Sequence, residues 1–485
     1  MRTFIFIIGI TFALFGCQIV DGQAQTMEQV TGKSGSDEPL MSLPGQDRDA
    51  PGSAAGGQRD LRNGGPVSLT VSPQYGRLVA DQQHTLNVLL RLTADGIGST
   101  VRPPLHLALV LDTSGSMSGP KLRDVKAAAI SLLKRLDGRD RVTLLSYSSH
   151  VSRLAIRRPM DDTGRAELIH HIIGLRAGGS TALGPAMLDA FSILREDTLH
   201  PLMLRHAILM SDGLANVGER DPRRLGAQAQ SAFHQGVSLS TMGVGLNYNE
   251  DLMTKVADMG GGRYHFIQDS AKITSVLNDE LNGLVATVAR DVRVDVRPMN
   301  GVRLEKVFGY PVRRGGSKVG VQIGFMGHKQ TREVMMRFVV DAGHINLDRA
   351  VLASFRMTYT DVVSDGKTRQ AHGSLVVDHA ASTAEQRASE NPRVTIRLAE
   401  VESSTQLDIA ARSISNGDFG AARQVMNRAI RRLKRDNAVA PSPRLNQQIQ
   451  EFEDAVADMD LSIGSASARK RVTKKYKAKA YLKTK

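Results

Sequence analysis

From His106 to about Ala286, apolar runs of strand length alternate with segments whose apolar residues recur at helical spacing. This alternation limits the fold more than any other feature of the chain. Leu105 to Leu111 reads as a buried strand, and Leu122, Val125, Ala129, Leu132 and Leu136 recur with a helical period. Val142–Leu145, Ala207–Met210 and Val237–Val244 read as further strands. Between them lie helical faces such as Leu168, Ile172 and Leu175, then Leu225, Ala229 and Phe233. Strands that alternate with helices pack as a doubly wound, mostly parallel α/β sheet. The unit is expected over 104–286.

Outside that unit the pattern is different. Val292, Val294 and Val296 alternate with polar residues, as do Val319, Val321, Ile323 and Phe325, and no helical period intervenes. Residues 290–380 therefore predict a β-sandwich. Before the α/β unit, 66–100 carries only two alternating runs, around Val67–Val71 and Leu86–Leu92. Two strands are too few to stand alone. They are expected to complete the sandwich, which makes the α/β unit an insertion in it or flanked by it. Asn391-Pro392 reads as a helix start, with a capping Asn and Pro at the first position. Two or three helices are expected over 391–460, broken at Asn416-Gly417-Asp418.

The ends carry targeting and charge signals. Phe4 to Phe15 is an apolar run too short to span a bilayer, preceded by Arg2, and has the form of a secretory signal. Leu14-Phe15-Gly16-Cys17 follows and resembles a bacterial lipobox. On this reading 1–17 is a lipoprotein signal region, Cys17 is the lipid anchor, and the protein is exported to the outer membrane or cell surface. The alternative is cleavage near Ala24, giving a secreted or periplasmic protein. Residues 18–65, rich in Gly, Ser, Asp, Gln and Pro, are expected to form a disordered linker. Cys17 is the single cysteine, so no intrachain disulfide or multi-thiolate zinc site can form.

Arg469 to Lys485 holds nine basic residues and no acidic one; without them the formal charge falls from +14 to +5. The basic tail, 465–485, is expected to be a solvated end or to contact an envelope polyanion; nucleic acid is disfavoured for an exported protein.

The residues that carry chemistry lie in three loops. Asp112-Thr113-Ser114-Gly115-Ser116 sits where the first buried strand runs out, ahead of a helix. Gly178-Gly179-Ser180-Thr181 precedes another helix, and Asp212 follows the strand ending Met210-Ser211. Ligands of doubly wound sheets bind beyond the carboxyl ends of the strands. Carboxylate and hydroxyl oxygens there are hard donors that suit Mg2+, with Mn2+ or Ca2+ as alternatives.

An Asp-x-Ser-x-Ser run, a Gly-Gly-Ser-Thr loop and a strand ending Ser-Asp-Gly, in that order, resemble the metal-ion-dependent adhesion site of von Willebrand factor A domains. The resemblance covers roughly residues 104 to 286. It implies a metal site built from Asp112, Ser114, Ser116, Thr181 and Asp212. Ser114, Ser116 and Thr181 would then ligate directly, while Asp112 and Asp212 act largely through water. It also implies a protein ligand whose acidic residue completes the metal's coordination.

No Gly-x-Ser-x-Gly nucleophile elbow and no His-Glu-x-x-His motif occurs, and His170-His171 points to different faces of one helix. The leading expectation is a non-enzymatic, cation-dependent, adhesion-like binding protein of the cell envelope. A scaffold of an envelope assembly or chaperone-like complex is the alternative. A metal-assisted hydrolase ranks third, for want of a general base.

Overall fold

In the computed structural model, the described residues are 65–95, 102–198 and 200–485. The signal region, Cys17 and the linker through residue 64 lie outside them. Three strands open the described chain: β1 (Val67–Pro73), β2 (Arg77–Val79) and β3 (Gln83–Ala94). The chain then enters an α/β unit: β4 (Leu105–Asp112), α1 (Pro120–Leu133), β5 (Arg141–Tyr147), β6 (Val151–Pro159), α2 (Asp162–Gly174) and α3 (Leu183–Arg195). It continues through β7 (Leu204–Ser211), α4 (Pro222–His234), β8 (Val237–Val244), α5 (Glu250–Met259), β9 (Gly261–Ile267) and α6 (Ile273–Val285).

The sheet of this unit has six strands in the order β6-β5-β4-β7-β8-β9. All neighbours run parallel except β6, which pairs antiparallel with β5 at one edge. β4 is buried along its whole length because helices cover both faces. Its alternate side chains serve two cores. Leu107, Leu109 and Leu111 pack with α1, α2 and α6. Ala108 and Val110 pack with α3, α4 and α5. The chain winds outward in opposite senses from β4 and β7, so the topological switch point lies between these two strands.

Seven strands follow: β10 (Thr287–Pro298), β11 (Val302–Val307), β12 (Val312–Gly315), β13 (Lys318–Gly327), β14 (Thr331–Asp341), β15 (Ala350–Asp361) and β16 (Thr368–Ala380). They form two sheets with the opening strands, ordered β1-β3-β14-β11 and β12-β13-β10-β15-β16-β2. β3 lies antiparallel to β14, from Gln83 opposite Asp341 to Thr93 opposite Thr331. Strands from before and after the α/β unit therefore share a ladder and one apolar core, and the unit is an insertion in the sandwich.

A helical region ends the chain: short α7 (Thr383–Ala388), then α8 (Pro392–Ser415), α9 (Phe419–Val439), α10 (Pro443–Leu461) and α11 (Ala466–Thr484). Asn391 caps α8 by accepting the Arg393 N–H at 3.1 Å, with Pro392 in the first turn. Gly417, at φ +80°, makes the break before α9, whose N-cap Asp418 accepts the Ala421 N–H. Val394, Leu398 and Val401 of α8 seat on Leu89, Phe308 and Met335 of the sandwich. Among the described residues no helix is long and apolar enough to cross a membrane.

The basic end departs from the expectation of a solvated tail. It is α11, with Val472, Tyr476 and Ala480 buried in the helical core. Five of its seven lysines meet acids of the same chain: Lys474 and Lys477 pair with Glu250, Lys475 with Asp458, Lys483 with Glu451, and Lys485 with Asp258. Read in isolation, the tail has no acidic residue. Its counter-charges lie on α5 and α10, elements distant in sequence.

Candidate metal centre

The carboxyl ends of β4 and β7 place Asp112 and Asp212 side by side at the switch point, both fully buried. Asp112 is the last residue of β4. One of its oxygens accepts the Ser114 backbone N–H at 2.8 Å, and the other accepts the Ser211 hydroxyl at 2.7 Å. The first bond bends the chain out of the strand, so that Ser114 and Ser116 turn back over its end. Their hydroxyl oxygens lie 3.1 Å apart. Ser116 donates to Asp212 at 2.6 Å.

Thr181 is brought in by the second loop. That loop is tied to the first through backbone bonds from Gly115 to Gly179 and from Gly178 to Thr113, at 3.1 and 2.8 Å. The Thr181 N–H is held at 2.8 Å by the side-chain oxygen of Asn216, from the third loop. Gly213 lies between the hydroxyls. A Cβ there would stand 3.3 Å from both Ser116 Oγ and Thr181 Oγ1. A larger residue would press on the two hydroxyls from the middle of the cluster.

The structure thus brings together all five residues singled out in the sequence. Burial raises the Asp112 carboxyl above its ordinary range; hydrogen bonds from Ser114 and Ser211 oppose this, and the neighbouring Asp212 adds to it. Burial also lifts the Tyr147 phenol far above its usual value, with the charge of Asp112 contributing. Its hydroxyl donates to the Met210 carbonyl at 2.7 Å, locking β5 against the end of β7.

Two buried carboxylates in contact with serine hydroxyls form an oxygen-only donor set with surplus negative charge. That is the chemistry a hard divalent cation requires. Asp112, Ser114, Ser116, Thr181 and Asp212 fit such an ion.

Three further residues shape the site. Ser211 and Asn216 fix the acid and the threonine, as described. Lys121, in the first turn of α1, places its ammonium on Asp212 and also donates to the Ser116 carbonyl at 3.3 Å. Its signal in the sequence is an inconsistency: a lysine in the first turn of a helix opposes the helix dipole, so it needs an acid nearby.

The site and sheet together define a class: a doubly wound α/β domain with a cluster of oxygen donors at the switch point. Comparison with known proteins agrees. Residues 106–279 match the family model of the von Willebrand factor type A domain, and the chain carries such a domain. It is 33% identical over 233 residues to the uncharacterized protein YfbK of Escherichia coli, covering 48% of this chain and 40% of that protein. It is 31% identical over 179 residues to human inter-alpha-trypsin inhibitor heavy chain H4, covering 35% of this chain and 19% of that one. The chain thus spans well under two thirds of the length of either relative.

Among solved structures, a von Willebrand factor type A protein from Catenulispora acidiphila superposes with a TM-score of 0.68 at 18% identity, covering 87% of this chain and 97% of its own. The ArnB paralog VWA2 from Sulfolobus acidocaldarius gives 0.57 at 18% identity, covering 85% and 98%. These two share the fold well beyond the α/β unit. Domains of this family commonly mediate divalent-cation-dependent protein interactions.

Proposed function

We propose that this chain is a non-enzymatic binding protein in which Asp112, Ser114, Ser116, Thr181 and Asp212 hold one Mg2+, and that its ligand is a protein engaged through a carboxylate. The observation that carries this reading is the convergence of two buried carboxylates and the serine hydroxyls on the switch point between β4 and β7. A bound divalent ion supplies the positive charge to which a partner's carboxylate is held. Asp112 fixes the first loop, Asn216 fixes Thr181, and Tyr147 braces the strands beneath. The polar groups of these loops mostly bond to one another, an arrangement suited to holding an ion and a partner. Mn2+ or Ca2+ would suit the same donors.

Titration calorimetry of the full chain with MgCl2 tests the site. We expect Asp112→Ala to lower the affinity at least a hundredfold; unchanged affinity would remove Asp112 from the centre. We further propose an exported envelope lipoprotein, from the run ending at Cys17. Labelled palmitate should enter the wild-type chain and be absent from Cys17→Ala. Equal labelling of the two would refute the anchor.

A further inference from the structure

Beside the metal loops lies an open cleft of about 410 Å³. One wall is the start of α1 from Ser118 to Lys126, which continues directly from the loop bearing Ser114 and Ser116. The other is Leu175 to Ala177, which runs directly into the loop bearing Thr181. The cleft is therefore continuous with two of the three loops of the candidate centre.

Its charge is one-sided. Arg123, Lys126 and Arg176 line it, and no acidic residue does so among the described residues. Arg123 has Asp124 at 3.5 Å, and that acid also takes a hydroxyl from Ser270. Lys126 and Arg176 form no ion pair with any described residue. Lys126 donates to the carbonyls of Ile173 and Leu175 at 2.9 and 2.7 Å. Arg176 donates one nitrogen to the carbonyls of Ile173, Gly174 and Leu175 at 3.1 to 3.4 Å.

Capping the end of α2 explains why a cation stands here, but one would suffice. Two cations share the same carbonyls, and those carbonyls carry no net charge to balance them. Burial and the neighbouring Arg176 together lower the Lys126 ammonium. Such crowding of like charge is relieved by an anion from outside the chain.

We propose that this cleft receives a second acidic stretch of the protein ligand, so that the partner presents a run of carboxylates rather than a single one. This rests on the metal reading above. One carboxylate would engage the centre while its neighbours in sequence lie along Arg123, Lys126 and Arg176. A protein segment is favoured over a nucleic acid because the cleft's walls run directly into two loops of the oxygen-donor centre, where a carboxylate is the expected guest.

Fluorescence anisotropy of the full chain in MgCl2 tests this with two labelled peptides, Gly-Gly-Glu-Gly-Gly amide and hexaglutamate amide. We expect hexaglutamate to bind about tenfold tighter. Lys126→Gln with Arg176→Gln should abolish that advantage and leave the single-glutamate peptide and the calorimetric Mg2+ affinity unchanged. Arg176→Gln alone, at an exposed position that the α2 cap does not need, should remove about threefold of it. Equal binding of the two peptides to the wild-type chain, or a hexaglutamate affinity indifferent to both variants, would overturn the cleft while leaving the metal reading intact. Failure of both peptides to bind despite Mg2+ uptake would overturn the carboxylate reading, and the cleft with it. Tighter binding of labelled hexathymidylate than of hexaglutamate would overturn the peptide as occupant.

Discussion

Two regions of this molecule concentrate charge, and they handle it in opposite ways. On α11 the chain neutralises its own lysines. Lys474 is 4% exposed, pairs with Glu250, donates to the Tyr248 carbonyl at 3.0 Å and lies over the Tyr248 ring at 3.7 Å. Around β4 and β7 the chain leaves charge unbalanced. Two buried carboxylates have one internal cation, Lys121, which is 31% exposed, and two cations of the adjoining cleft, Lys126 and Arg176, are bonded only to carbonyls. Charge balanced within the chain fastens the helical region to the α/β unit. On the function proposed above, charge left over is available to an ion and a partner. Composition cannot separate the two, because a lysine counts equally in both.

The contrast breaks most visibly at Lys474. Removing one member of a buried ion pair costs about 3 kcal/mol when its partner stays behind, and Lys477 keeps some hold on Glu250 at 2.8 Å. We expect Lys474→Ala to lower stability by roughly 3 kcal/mol, read from the urea midpoint, with the Mg2+ affinity of the folded chain unchanged. A midpoint within error of wild type would mean that α11 is not fastened by its charges.

A third cluster, behind the metal face, sharpens the comparison through pH. His206 of β7 is fully buried, with Glu280 of α6 at 3.6 Å and the Phe325 ring of the sandwich at 6.1 Å. Burial pushes its imidazole down to about 4, against the pull of Glu280 and with Arg263 and His265 helping. Between the ordinary value of 6.5 and this one, the unfolded chain binds the proton and the folded chain does not. Stability conferred by neutral His206 is therefore complete above pH 6.5 and is lost as pH falls toward 4. Burial raises the Glu280 carboxyl, but the His265 hydrogen bond and the charges of His265, Arg263 and His206 outweigh it and hold it low, so its own contribution is lost only as pH falls below the ordinary carboxylate value. We expect about 2 kcal/mol less stability at pH 5 than at pH 7, measured by urea titration, and a flatter profile in His206→Gln. Identical slopes for the two proteins would assign the acid sensitivity elsewhere.

The sheet and the five donors were legible because their signals are local. Leu105–Leu111 is an unbroken apolar run, Asp112 and Asp212 stand at strand ends, and Ser114, Ser116 and Thr181 stand in short polar motifs just ahead of helices. What distance in sequence hides was not legible. The pairing of Gln83–Thr93 with Thr331–Asp341 spans the inserted unit, so it could be argued only from the poverty of two lone strands. The fate of the basic end could not be argued at all. Glu250 and Asp258 lie more than two hundred residues before the lysines they neutralise, and the short stripe of Val472, Tyr476 and Ala480 on α11 is outnumbered by the charged residues around it. Asn216 was missed for a similar reason. Its oxygen meets a backbone N–H of another loop, a contact that no motif spacing encodes.

The smallest expected effect bears most directly on the difference between the two regions. If the metal face is held open for an external cation, the internal one on Asp212 must be a weak competitor. Lys121 is partly exposed, and exposed ion pairs contribute about 1 kcal/mol or less. An ammonium on Asp212 opposes a divalent ion at the same oxygens, so its removal should favour the ion. We expect Lys121→Met to tighten Mg2+ binding by roughly fivefold, an upper figure set by that 1 kcal/mol, with little change in the urea midpoint. On α11 the corresponding substitution unfolds the chain more easily and leaves ion binding alone. Weaker Mg2+ binding in Lys121→Met would reverse the assignment: Lys121 would then hold Asp212 in place for the ion, and the metal face would resemble the helix interface in relying on a lysine of its own.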